Sequence, residues 1–279
     1  MIDTHIHFWR YRAADYPWIS DAMPALKQDL LPEHIAPQAQ ALGVQAAVAV
    51  QARCDMAEND FLLQLAAEHE WVCGVVGWLD FTAADVADTL ASYAGEPWMK
   101  GWRHLVQDEP NPAQYWARAD FQRGVQAAQQ AGFSYDLLCH QADLAAVADF
   151  ARRCDGGWLV LDHLGKPQFG RPQAFAAWQE QMAQLAALPH VAVKISGLVT
   201  EYGPGATAAD LYAHVDTVLE LFGAGRVMWG SDWSVCALSG HDYAQVHSHW
   251  QDFRFGLSAD ERAAAEYGNA QRIYRLQAA

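Results

Sequence analysis

Eight short apolar runs punctuate the 279-residue chain, and seven of the intervals between them carry segments with helical spacing. The runs are Met1–Phe8, Val44–Gln51, Val72–Asp80, Met99–Leu105, Phe133–Cys139, Trp158–Gly165, Val191–Leu198 and Val227–Trp233. Between them lie stretches such as "DFLLQLAAEHE", "FQRGVQAAQQAG", "ADLAAVADFARRC" and "DLYAHVDTVLELFG", whose apolar residues recur at three and four and which often close on Gly. Eight strand-then-helix units in a chain of this length predict an α/β fold, a single (β/α)8 TIM barrel spanning residues 1–279. An open doubly wound sheet is the competing arrangement. No Pro/Gly/Ser linker divides the chain, so one domain is expected.

In such a barrel the C-terminal ends of the strands face the site, so polar residues there are the ones to collect. The first run, "MIDTHIHFWR", places His5 and His7 two apart, and strict alternation would put Asp3 on their face as well. Later runs end on Gln51 and Arg53, Asp80, Arg103 and His104, Asp136 and His140, Asp162 and His163, Lys194 and Ser196, and Asp232. Parity assigns His163 to the barrel interior and Asp162 to the helix layer. It also splits Arg103 from His104 unless the strand ends between them. Lys194 and Asp3 suggest a buried ion pair in the barrel floor. The long stretch from Trp9 to Leu31 carries Tyr16 and Trp18, which either wall a pocket or pack the loop onto the barrel.

Composition narrows the functional classes. Eighteen basic against 33 acidic residues give a net charge of −15, which disfavours nucleic acid and anionic membranes. Five scattered cysteines without a C-x-x-C pair predict reduced core thiols, and no secretory leader or 18-residue apolar span is evident, so a cytoplasmic protein is expected. The loose "GPGATA" match has Pro204 inside it, and no G-x-S-x-G occurs. Neither a nucleotide cofactor nor a serine nucleophile is predicted.

"HIHFW", "YPW", "GVVGWLD", "KGWRH", "DHLGKP", "KISGL", "GSDW" and "GNAQRIY", in that order, resemble the amidohydrolase superfamily, in particular its amidohydrolase-related group of sugar-lactone and dicarboxylate-lactone hydrolases. The resemblance runs from residue 1 to about residue 275. It implies a hydrolytic site at His5, His7, His163 and Asp232, with Asp232 acting on water. Metal-dependent members add a strand-5 histidine and sometimes a strand-4 lysine. Here Asp136 stands inside the fifth run, His140 falls at its end, and Lys100 has the opposite parity to Arg103. One loosely held zinc near His5 and His7, or no metal, is therefore the expectation, with turnover not depending on it.

Together these features point to hydrolysis of an aldonolactone such as L-fucono-, L-rhamnono- or galactono-lactone. Asp232, His163 and Arg103 are the candidate catalytic residues; His104, Trp18, Trp78, Trp233 and Asp80 are the candidate substrate contacts. A metal-dependent decarboxylase, a dicarboxylate lactonase and a non-catalytic sugar-binding barrel are the alternatives. The sequence does not specify an oligomeric state.

Overall fold

The computed structural model describes residues 1–276. Strands β1 (Ile2–Ile6), β2 (Ala46–Val50), β3 (Val72–Gly77), β4 (Met99–His104), β5 (Ser134–Leu137), β6 (Leu159–Leu161), β7 (Val191–Ile195) and β8 (Val227–Trp229) form one parallel sheet in sequence order. All eight predicted runs contain a strand, and the open-sheet alternative falls. Closure between β8 and β1 is made mainly beyond the end of β8. Ile6 bridges Trp233 in parallel, the His7 amide donates to the Trp233 carbonyl at 2.7 Å, and the Asp232 amide donates to the His5 carbonyl at 2.9 Å.

Alternation within β2 shows how the core divides. Ala47 and Ala49 pack with the outer helices, among them Met56–Glu68, whereas Val48 and Val50 join Ile2, Val76, Val160, Ala192 and Met228 inside the barrel. The small alanines let the helices approach, and the branched valines fill the interior. The closing segment plugs the barrel's N-terminal end. Ile273 and Tyr274 pack with the interior cluster, and Asn269 Nδ2 donates to the Ala224 and Val227 carbonyls at 2.7 Å each.

Two parity expectations fail for backbone reasons. The β1–β2 register shifts between Asp3 and Ile6, so Asp3 does not share the face of His5 and His7. Its carboxylate accepts from the Ser231 amide and the Tyr243 hydroxyl instead, and burial pushes it up to about 6. Lys194 consequently pairs with other carboxylates. The second failure is at β6, which ends at Leu161, after which His163 adopts φ 54° and Leu164 also φ 54°. Val160 faces the interior, so alternation carries Asp162 inward too, and the left-handed turn at His163 brings the next side chain in beside it.

Candidate active site

The floor of the site is a buried lattice of charges. Lys194 Nζ lies 2.5 Å from Asp136 Oδ2 and 3.1 Å from Asp162 Oδ1, and Tyr274 donates to Asp136 from below at 2.9 Å. Arg103 Nη1 donates to Asp162 Oδ2 at 2.9 Å, while Nη2 donates to the Gln51 carbonyl. Burial alone would raise Asp162, but Lys194, His5 and Arg103 hold it well below the usual carboxylate range. Asp136, more strongly desolvated than compensated, is pushed up to about 6. Two cations against two carboxylates make this floor close to charge-neutral, which is how so many ionic groups are accommodated in a barrel core.

Three imidazoles and one carboxylate stand on that floor. His7 Nδ1 is 2.8 Å from the Val50 carbonyl oxygen, so it carries the proton and Nε2 presents a lone pair. His5 Nε2 lies 3.2 Å from Arg103 Nη1, and its Nδ1 lies 3.2 Å from both Lys194 Nζ and Asp162 Oδ1. His163 Nδ1 pairs with Ser196 Oγ at 2.9 Å. Asp232 Oδ1 lies 3.5 Å from His7 Nε2 and 3.9 Å from both His5 Nε2 and His163 Nε2. Burial opposes its charge, yet His163, His7 and Lys166 together keep it below its ordinary value. Burial also lowers His5 and His163, favouring neutral rings. The site therefore sets a carboxylate held toward its ionised form beside His5 and His163, whose charged forms burial disfavours. Asp232, His163 and Lys166 all occupy positive φ (56°, 54° and 50°), a concentration of unusual backbone at one place that fits a functional centre.

The donors also suit a single divalent cation. The Nε2 atoms of His5 and His7 lie 3.2 Å apart with the Asp232 carboxylate beside them. Two imidazole nitrogens sharing one tetrahedral zinc at about 2.0–2.1 Å would lie roughly 3.3 Å apart. The strand-5 histidine of metal-dependent relatives has no counterpart, because Asp136 is occupied by Lys194 and Tyr274, and His140 is exposed. Lys100 sits outside the site near Cys73 and Arg275.

Above the imidazoles opens a cavity of about 260 Å³ whose lining includes His7, Arg103, His163 and Asp232. Of the predicted substrate contacts, Trp18 lines it and is anchored by Nε1 donation to the Ala52 carbonyl at 2.8 Å. His104, Trp78, Asp80 and Trp233 are not brought there. Because Arg103 points inward, His104 turns to the helix side, accepting from Trp78 Nε1 at 2.8 Å, meeting Glu109 at 2.7 Å and stacking on Tyr115. Asp80 turns back on Thr82, and Trp233 packs on Phe8. Tyr16 is buried under the loop, donating to Glu58 at 3.3 Å. Sequence reasoning passed over Lys166 and Glu201, which line the cavity as an ion pair at 3.3 Å. Their signal was position: each lies just beyond a strand end, in β6 and β7 loops. All five cysteines are free thiols; Cys139, Cys154 and Cys236 are buried as expected, whereas Cys54 is exposed. Among the described residues, no helix is long and apolar enough to cross a membrane.

The amidohydrolase family model matches residues 2–276. L-fucono-1,5-lactonase of Burkholderia multivorans is 44% identical over 287 residues, covering 99% of this chain and 96% of that protein. L-fucono-1,5-lactonase of Burkholderia ambifaria is 34% identical over 280 residues, covering 99% and 95%. The crystal structure of an amidohydrolase from Burkholderia multivorans with bound zinc superposes with a TM-score of 0.93 at 43% identity, covering 99% of each chain. With a barrel closed in strand order, imidazoles from β1 and β6 converging on a β8 aspartate, and a family match across nearly its full length, this chain belongs to the amidohydrolase family.

Proposed function

We propose that the protein hydrolyses the ring ester of a neutral sugar-acid lactone, with L-fucono-1,5-lactone the first substrate to test. The observation that carries the choice is electrostatic: the cavity's lining cations, Arg103 and Lys166, are both already paired, with Asp162 and Glu201. A doubly anionic lactone would need cations free to meet its carboxylates, whereas a polyhydroxylated ring needs hydrogen-bonding groups and an aromatic face such as Trp18. The two Burkholderia relatives named L-fucono-1,5-lactonase support the same class.

In this mechanism Asp232, held ionised, takes a proton from water as the oxygen attacks the lactone carbonyl. His163, fixed by Ser196, borders the carbonyl oxygen as negative charge develops. Protonated Asp232 then returns its proton to the ring oxygen, which leaves as a hydroxyl, and the product is the open sugar acid. Arg103 orients His5 and neutralises Asp162 in this scheme, a supporting part in place of direct contact with substrate. His5, His7 and Asp232 would hold zinc when it is bound, where it would polarise the carbonyl as a Lewis acid.

A pH-indicator screen of aldonolactones differing in single hydroxyl and methyl positions tests the proposal. Acid release with one or more of them is expected. Loss of carbon dioxide from an aromatic acid, with no lactone turned over, would instead establish a decarboxylase.

A further inference from the structure

One ion pair in the cavity wall has no part in the reaction derived above. Lys166 ends the left-handed turn that carries His163, its amide donating to the His163 carbonyl at 2.8 Å. Glu201 lies in the turn Leu198–Tyr202 after β7, its amide donating to the Gly197 carbonyl at 3.1 Å. The two heads meet at 3.3 Å, joining the β6 loop to the β7 loop. This contact leaves both heads under-used. An ammonium offers three donors and a carboxylate about four acceptor positions, and among the described residues neither head hydrogen-bonds any third group. Both side chains keep accessible surface, 15% for Lys166 and 23% for Glu201, and both line the cavity with His163 and Asp232. A molecule in the cavity therefore reaches them.

We propose that the Lys166–Glu201 pair is the specificity-determining subsite for the sugar's hydroxyl groups, an inference that rests on the lactonase function proposed above. Glu201 accepts from ring hydroxyls and Lys166 donates to them. A hydroxyl does both, so neighbouring hydroxyls on one ring edge suit neighbouring charges of opposite sign, and hydrogen bonds to charged groups are the stronger kind. A ring without hydroxyls would displace the water on both heads and return no bonds for it. The pair is also neutral as a unit, so it offers hydrogen bonds to a polyhydroxylated ring and no net attraction to a carboxylate. Glu201 thereby sets two preferences at once, for hydroxyls over bare methylenes and for neutral over anionic lactones. Because Lys166 is fixed in the turn that carries His163, a ring held by the pair is held in register with that imidazole.

The test compares wild type, Glu201→Gln and Lys166→Met on the preferred aldonolactone and on δ-valerolactone, the six-membered lactone without hydroxyls, with 2-pyrone-4,6-dicarboxylate as a competing anion. Each variant is expected to lower the ratio of the two kcat/KM values about tenfold, mainly through KM for the sugar lactone. If δ-valerolactone is not turned over, its inhibition constant takes the place of its kcat/KM. The inhibition constant of the dicarboxylate should move in opposite directions. It falls about tenfold in Glu201→Gln, which leaves the Lys166 charge uncompensated, and rises in Lys166→Met, which leaves Glu201 so. A merely structural role would move it the same way in both, and melting curves establish that the variants are folded. An unchanged sugar ratio in either variant, or a dicarboxylate constant that does not diverge between them, overturns the subsite alone. Wild type that hydrolyses no aldonolactone overturns the proposed function, and this assignment with it.

Discussion

A single methyl group at Gly197 should disable the site while leaving the barrel standing. Gly197 sits at φ 67° between β7 and the turn Leu198–Tyr202, and a Cβ built there falls 2.5 Å from His163 Nδ1, 2.8 Å from its Cγ and 3.1 Å from its Cε1. The closest of these is about 1 Å short of ordinary van der Waals contact, so the imidazole must retreat by roughly that distance. Its 2.9 Å bond to Ser196 Oγ does not survive such a shift, and its relation to Asp232 changes. The left-handed conformation costs a non-glycine residue about 1–2 kcal/mol and the lost hydrogen bond about 1 kcal/mol more, so urea unfolding of Gly197→Ala should show a loss of about 2–3 kcal/mol. Misplacing a reacting group by about 1 Å costs on the order of a hundredfold in kcat. Gly240→Ala is the control, because Gly240 is also left-handed, at φ 78° and ψ 10°, yet has nothing within 4 Å of its added Cβ. It should pay the backbone strain and keep its turnover. Wild-type kcat in a folded Gly197→Ala protein would refute the role given to His163.

Asp232→Asn removes the base with little change in shape, and kcat for lactone hydrolysis should fall by about two or more orders of magnitude in a stopped-assay comparison with wild type. On metal, purified protein should carry less than one zinc per chain by elemental analysis and keep most of its activity after chelation; complete loss restored by one equivalent of metal would make the ion catalytic. A further prediction concerns His214, whose two nitrogens are buried without partners among Phe169, Phe175 and Trp178 and whose imidazolium burial disfavours, lowering it to about 4. Its contribution to stability is therefore complete above the unfolded value near 6.5 and is lost as pH falls through about 4, so His214→Phe should remove about 1–3 kcal/mol of the acid-side loss seen in urea titrations at pH 4 and pH 7.5.

Most of the barrel was legible because apolar runs and helical spacing alternate so regularly. The ends of strands were less so, since β6 and β8 have only three residues each and the motifs "DHLGKP" and "GSDW" extend past them as irregular backbone. His5, His7, His163 and Asp232 were identifiable from residue type and order, and the structure brings them within contact of one another. Asp162 was misplaced because the interior parity was taken from His163, a left-handed residue beyond the strand, when Val160 sets it, and Asp3 was misplaced because a register shift leaves no trace in composition. The partners of Lys194 lie 58 and 32 residues away, on strands whose facing order is set only by closure. Trp78 and His104 illustrate the reverse error: Trp78 follows β3 and His104 ends β4, but they satisfy each other on the helix side.

The most direct test of the central claim is a side-by-side measurement of kcat/KM for L-fucono-1,5-lactone and 2-pyrone-4,6-dicarboxylate with the same wild-type preparation. Paired cations at Arg103 and Lys166 predict a clear preference for the neutral sugar lactone, on the order of a hundredfold or more. A preference for the dicarboxylate, lost on Arg103→Met, would show that Arg103 is free to bind a substrate carboxylate and would contradict the account.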